Sequence, residues 1–136
     1  FSRPEGMVLL KGLLAAGITL GVAAVFPEHL AFPFFAGVLG LIVGVYPGIA
    51  MASPDVESSF SHWVVAVALL GLGLLGLWYS ALLLSAAFII HGLWSLLKGF
   101  TALGDGVPEG YPAFSLSFDL VVAAFVAYVW ATSAQI

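Results

Sequence analysis

The chemistry available to this sequence is concentrated in its C-terminal third. His91 lies within one long apolar run and Asp119 within the next, where ionisable side chains are otherwise scarce. An imidazole and a carboxylate within reach of each other share a proton, which suits a proton relay, a general acid/base or a polar anchor for a ligand. They suit a plainer role equally well, a buried hydrogen-bonded link between two helices, because a lone carboxylate in hydrocarbon costs about 3 kcal/mol. The neighbours extend both readings. Ala87, His91, Ser95 and Lys98 follow at i+4, i+4 and i+3 along one helical stripe, while Ser115 and Asp119 sit one turn apart on the next segment. Adjacent antiparallel helices would set the two stripes face to face at similar depth, with Trp94 and Tyr111 walling a candidate polar pocket.

Metal chemistry has little to work with. The three histidines, His29, His62 and His91, are far apart in sequence, no HxxxH or HExxH spacing occurs, and there is no cysteine. Thiolate zinc, cysteine-ligated clusters and disulfides are therefore excluded. His91 by itself would serve only as a single axial ligand to a haem or chlorin. We assign no metal, no catalytic residue and no cofactor from the sequence.

The rest of the chain has to position that pair. Of 136 residues, 62% are hydrophobic and 7% are charged, and the mean hydropathy is +1.18, which points to lipid as the solvent. The net charge of −4 and the lack of any basic run speak against nucleic acid as a partner. The apolar runs and their breaks predict an all-α integral membrane bundle of five transmembrane helices, at about 7–26, 30–52, 61–77, 80–98 and 114–134, in a single domain. The run from Trp63 to Leu97 carries no formal charge and is too long for one crossing, so the chain must reverse near Gly76–Ser80. With five spans and a cytoplasmic N-terminus, Arg3, Lys11 and Lys98 all fall on the cytoplasmic side, in keeping with the positive-inside rule. The expected location is the cell membrane, as a multi-pass protein.

Helices in lipid associate through close approach at small residues. Gly40, Gly44 and Gly48 recur every fourth position, Gly17 and Gly21 do the same, and Ala123 and Ala127 continue the line from Ser115 and Asp119. These are the expected packing stripes, within the chain or between copies.

His91-Gly92-Leu93-Trp94, Tyr111-Pro112-Ala113-Phe114 and an acidic Asp119 in the last span together resemble a group of small uncharacterised multi-pass membrane proteins. These carry a His-x-x-Trp helix, a Tyr-Pro-x-Phe loop and an acidic residue in the final span. Where that pattern has an aspartate after the tryptophan, this chain has Ser95. The resemblance implies an architecture and no reaction. The function expected from the sequence is that of a non-enzymatic membrane module, a homo-oligomer or an accessory subunit of a larger membrane complex, with the lipid bilayer and other membrane subunits as partners. One alternative is a lipophilic-ligand-binding protein or membrane enzyme using His91 and Asp119. A second is a small transporter or proton pathway.

Overall fold

The computed structural model describes residues 3–45, 56–99 and 111–133, and within them the regular structure is five helices and no strand. Helix α1 (Arg3–Val25) has Pro4 in its first turn, where a missing N–H leaves no bond unmade. It stops ahead of Pro27, which disfavours helical geometry at the residue before it, and the Phe26 N–H closes on the Ala23 carbonyl at 3.1 Å. Helix α2 (Glu28–Val43) starts at once on the far side, with Pro27 as its N-cap and Pro33 tolerated inside it. Helices α3 (Val56–Trp78) and α4 (Ala81–Gly99) are separated by Tyr79 and Ser80 alone. Ser80 caps α4: its hydroxyl accepts the Leu82 N–H at 3.3 Å and its carbonyl accepts the Leu83 N–H at 2.9 Å. The reversal also needs Gly76, since a Cβ there would lie 2.8 Å from the Leu84 backbone nitrogen. Helix α5 (Tyr111–Ser133) completes the set.

Four boundaries move from their expected places: α1 begins at Arg3 where a start at 7 was expected, α2 ends at Val43 where a span to 52 was expected, with 46–52 outside the described residues, and the starts of α3 and α5 come early. Helix α3 begins at Val56, so part of the predicted loop before Ser61 is helical. In the sequence no helix breaker follows Pro54 before the apolar run. Helix α5 begins at Tyr111, which turns the expected Tyr-Pro-x-Phe loop into a helical turn. Pro112 is compatible with that position for the same reason as Pro4. Tyr46, Pro47, Gly48 and most of the polar stretch after Lys98 lie outside the described residues.

Helix α5 is the hub. It packs most extensively on α4 and next on α1, α3 lies along α4, and α2 rests on α3 and α4. Phe35, Leu39, Leu84, Phe88, Val122 and Val126 are fully buried between them. Phe35 ties α2 to α5 through a ring contact with Phe125 at 5.8 Å between centroids.

The polarity of the bundle runs from the inside out. His62, Ser85, His91, Ser95, Ser115, Ser117 and Asp119 are buried, while Leu14, Ile18, Val25, Leu41, Val67 and Trp78 are among many large apolar side chains on the outside. Among the described residues, two helical segments, Gly6–Val25 and Tyr111–Thr132, are long and apolar enough to cross a membrane. The apolar segments His29–Val43, His62–Trp78 and Ala81–Leu97 are shorter, in contrast to the five comparable spans expected from the sequence.

On α1 and α2, close packing falls on other small residues than those expected. Gly17 and Gly21 are exposed, with no neighbour within 4 Å of where a Cβ would sit. Gly40 has only the end of Leu70 nearby, at 3.7 Å, and Gly44 meets only its own helix. On α1 the packed line is Gly12, Ala16 and Ala23, all buried. At Gly12 an added Cβ would overlap the Ser117 hydroxyl and come within 2.5 Å of the Phe114 carbonyl oxygen. On α5, Ala123 is buried and Ala127 half-buried.

Candidate functional site

The α4–α5 seam carries a buried polar cluster. Helix α4 presents Ser85, His91 and Ser95 toward α5, and α5 presents Ser115, Asp119 and the Ala123 carbonyl toward α4. The antiparallel course of the two helices keeps these partners level, so that the paired residue numbers stay in step: 85 with 123, 91 with 119, 95 with 115. His91 Nδ1 lies 2.7 Å from Asp119 Oδ2, with both side chains almost wholly buried. The Ser115 hydroxyl donates to the same carboxylate oxygen at 3.0 Å, and Ser95 donates to Ser115 at 3.1 Å. A longer contact of 3.4 Å joins Ser115 to His91 Nδ1. Ser85 anchors the seam further along by donating to the Ala123 carbonyl at 2.7 Å.

Such a group is stable away from water only if its members satisfy one another. Asp119 Oδ2 accepts a hydrogen bond from Ser115 and is within hydrogen-bond distance of His91 Nδ1, while Oδ1 is buried without a partner among the described residues. The absence of a side chain at Gly92 sets the tightness of the seam: a Cβ there would lie 3.2 Å from Asp119 Cβ and 3.4 Å from the end of Leu116. Gly92 was not singled out from the sequence. Its signal was available, because a glycine inside a helix costs about 1 kcal/mol and needs a compensating close contact. Ser85 and Ser117 were missed as well. Ser117 bonds across to α1, donating to the Leu9 carbonyl at 3.1 Å and to the Phe114 carbonyl of its own helix at 3.0 Å.

The structure therefore brings together His91, Ser95 and Asp119 of the expected pocket. Trp94 is half-buried one turn from His91. Tyr111 is half-buried in the first turn of α5, stacked on Phe114 at 6.3 Å, two helical turns below Asp119. Among the described residues no three His, Asp or Glu side chains gather as a metal ion would need.

A cleft of about 370 Å³ lies elsewhere, at the end of the bundle where α1 turns into α2 and α3 into α4. Its walls include His29, Phe32, Trp78, Tyr79, Ser80 and Trp130. On α4 its nearest lining residue, Ala81, is ten positions from His91, roughly 15 Å along the helix, so the cleft and the polar cluster are separate features. No protein-family model, curated protein or solved structure matches the chain.

Proposed function

We propose that this chain is a small multi-pass integral membrane protein, with all five helices in the bilayer and the N-terminus in the cytoplasm. In this reading it acts as a non-enzymatic module, a homo-oligomer or an accessory subunit of a larger membrane complex. The observation that carries the reading is the inverted polarity: histidine, serine and aspartate inside, leucine, isoleucine, valine and aromatic side chains outside. In water the outer surface would be a large uncovered apolar patch, whereas in lipid it is the expected exterior. Of the three shorter apolar segments, His62–Trp78 and Ala81–Leu97 reach the lower end of the crossing range, near 17 residues, and His29–Val43 stops just short of it.

The role assigned to the polar cluster is to fix the register of α4 on α5. Three cross-helix bonds in step along one seam hold two helices against both sliding and rotation, while apolar contacts alone are indifferent to small slips. The close fit of Gly92 over Asp119 supports a joint in preference to a substrate pocket. The rival reading, a binder of lipophilic ligands, gains support from the aromatic-lined cleft at the far end of the bundle.

Alkaline carbonate extraction of membranes, followed by native mass spectrometry in mild detergent, tests the proposal. The protein is expected to stay in the membrane pellet and to fly as an oligomer or with a partner subunit. Release into the soluble fraction would overturn the membrane reading. A strictly monomeric species carrying a bound lipophilic molecule would favour the rival.

A further inference from the structure

The cleft between the α1–α2 and α3–α4 turns is walled by aromatic rings that three parts of the chain bring to one level. The short reversal leaves Trp78 and Tyr79 at its tip, 75% and 79% exposed, so the cleft is open at the surface. Pro27 starts α2 alongside, which sets His29 and Phe32 in its first turns. Trp130 arrives from α5, because the register that levels Ser85 with the Ala123 carbonyl carries it to the height of the reversal.

The charge around the cleft says what would fill it. No lysine or arginine lines it. Arg3 opens α1 and Lys98 lies in the last turn of α4, both toward the opposite end, and Lys11 is fourteen positions short of the end of α1, roughly 21 Å along the helix. Helices α1, α3 and α5 turn their C-terminal poles toward the cleft, against two N-terminal poles from α2 and α4, and the last turns of those three contain no basic residue. C-terminal poles draw cations, and the chain supplies none there. The faces of tryptophan and tyrosine rings draw cations too, quaternary ammonium groups above all. The His29 ring and the Ser80 hydroxyl add hydrogen-bonding groups to the same wall. At about 370 Å³ the cleft is near the small end of ligand sites, the size of a headgroup more than of a whole lipophilic molecule.

We propose that this cleft binds the ammonium headgroup of a zwitterionic phospholipid, the cation against the Trp78, Tyr79 and Trp130 rings and the acyl chains along the apolar outside of the bundle. The inference rests on the membrane reading, which carbonate extraction tests by itself: a chain that stays in the pellet and shows no headgroup preference fails here alone.

The test is native mass spectrometry of the full chain in maltoside micelles, titrated with phosphatidylcholine or with phosphatidylglycerol of the same acyl chains. Phosphatidylcholine is expected to bind more tightly. Each exposed cation–π face is worth roughly threefold, so the double variant Trp78→Leu/Tyr79→Leu should weaken that binding by roughly tenfold. Both side chains are exposed at a turn, and their loss leaves the fold intact. Tyr128→Leu removes an exposed ring of α5 outside the cleft and should change nothing. Equal or tighter binding of phosphatidylglycerol overturns the proposal, as does a preference that survives the double variant or falls equally in Tyr128→Leu. Soluble phosphocholine bound as tightly as the lipid overturns the bilayer as the source of the ligand.

Discussion

Helix α5 is held by two seams made of different materials. Toward α4 it is joined by polar groups: His91 to Asp119, Ser95 to Ser115 and Ser85 to the Ala123 carbonyl. Toward α1 it is joined by proximity, with Gly12 letting the backbones close, Ala16 and Ala23 buried along the same helix, and Ser117 adding a bond to the Leu9 carbonyl. The first seam specifies register, because a hydrogen bond is lost when its partner shifts by a fraction of an ångström. The second specifies distance, because dispersion forces reward contact without naming the atom. A helix that must be both placed and pinned needs one seam of each kind.

The contrast is sharpest where a single side chain is removed or added. Asp119→Ala strips the polar seam of its shared acceptor and leaves His91 and Ser115 buried without it; a loss of about 3 kcal/mol is expected in unfolding measured in detergent. A cycle with His91→Ala should recover part of that loss, since the stranded imidazole is then gone. Gly12→Ala breaks the other seam by overlap with Ser117 and the Phe114 carbonyl, both fixed by the α5 backbone, and should cost about 2 kcal/mol by the same measurement. Ser85→Ala removes one bond at the edge of the polar seam and should cost about 0.6 kcal/mol, the usual worth of an interhelical hydrogen bond in a membrane. Gly17→Ala and Gly21→Ala face open space and should leave stability within about 0.5 kcal/mol of the parent, or raise it through better helix propensity. If they instead abolish an oligomer seen by native mass spectrometry, that outer face is an interface between chains.

Apart from Ser85, the polar seam could be read from the sequence, and the small-residue seam could not. His91 and Asp119 are conspicuous against an apolar background, and helical spacing alone aligns Ser95 with Ser115 once the helices are taken as antiparallel neighbours. The reversal between α3 and α4 was legible for a similar reason: an uncharged run too long for one crossing has to turn, and Gly76 and Ser80 supply the turn. Helix α1, by contrast, carries two small-residue lines at helical spacing, Gly17–Gly21–Ala24 and Gly12–Ala16–Ala23. Spacing cannot choose between them. The choice is made by Ser117 and Phe114 on a helix a hundred residues later, and only the packed structure brings that information to bear. The start of α5 lies at Tyr111, ahead of the expected 114, because Pro112, a loop signal by composition, is equally at home in a first helical turn.

The central claim is that an inside-out bundle sits in lipid with the α3–α4 reversal on the outer side. With no native cysteine, a single Tyr79→Cys variant reports on that point alone. A membrane-impermeant maleimide applied to intact cells should label it, as Tyr79 is exposed at the turn between the two helices. Labelling only after the cytoplasmic side is opened would contradict the threading and, with it, the account of how α4 and α5 are placed in the membrane.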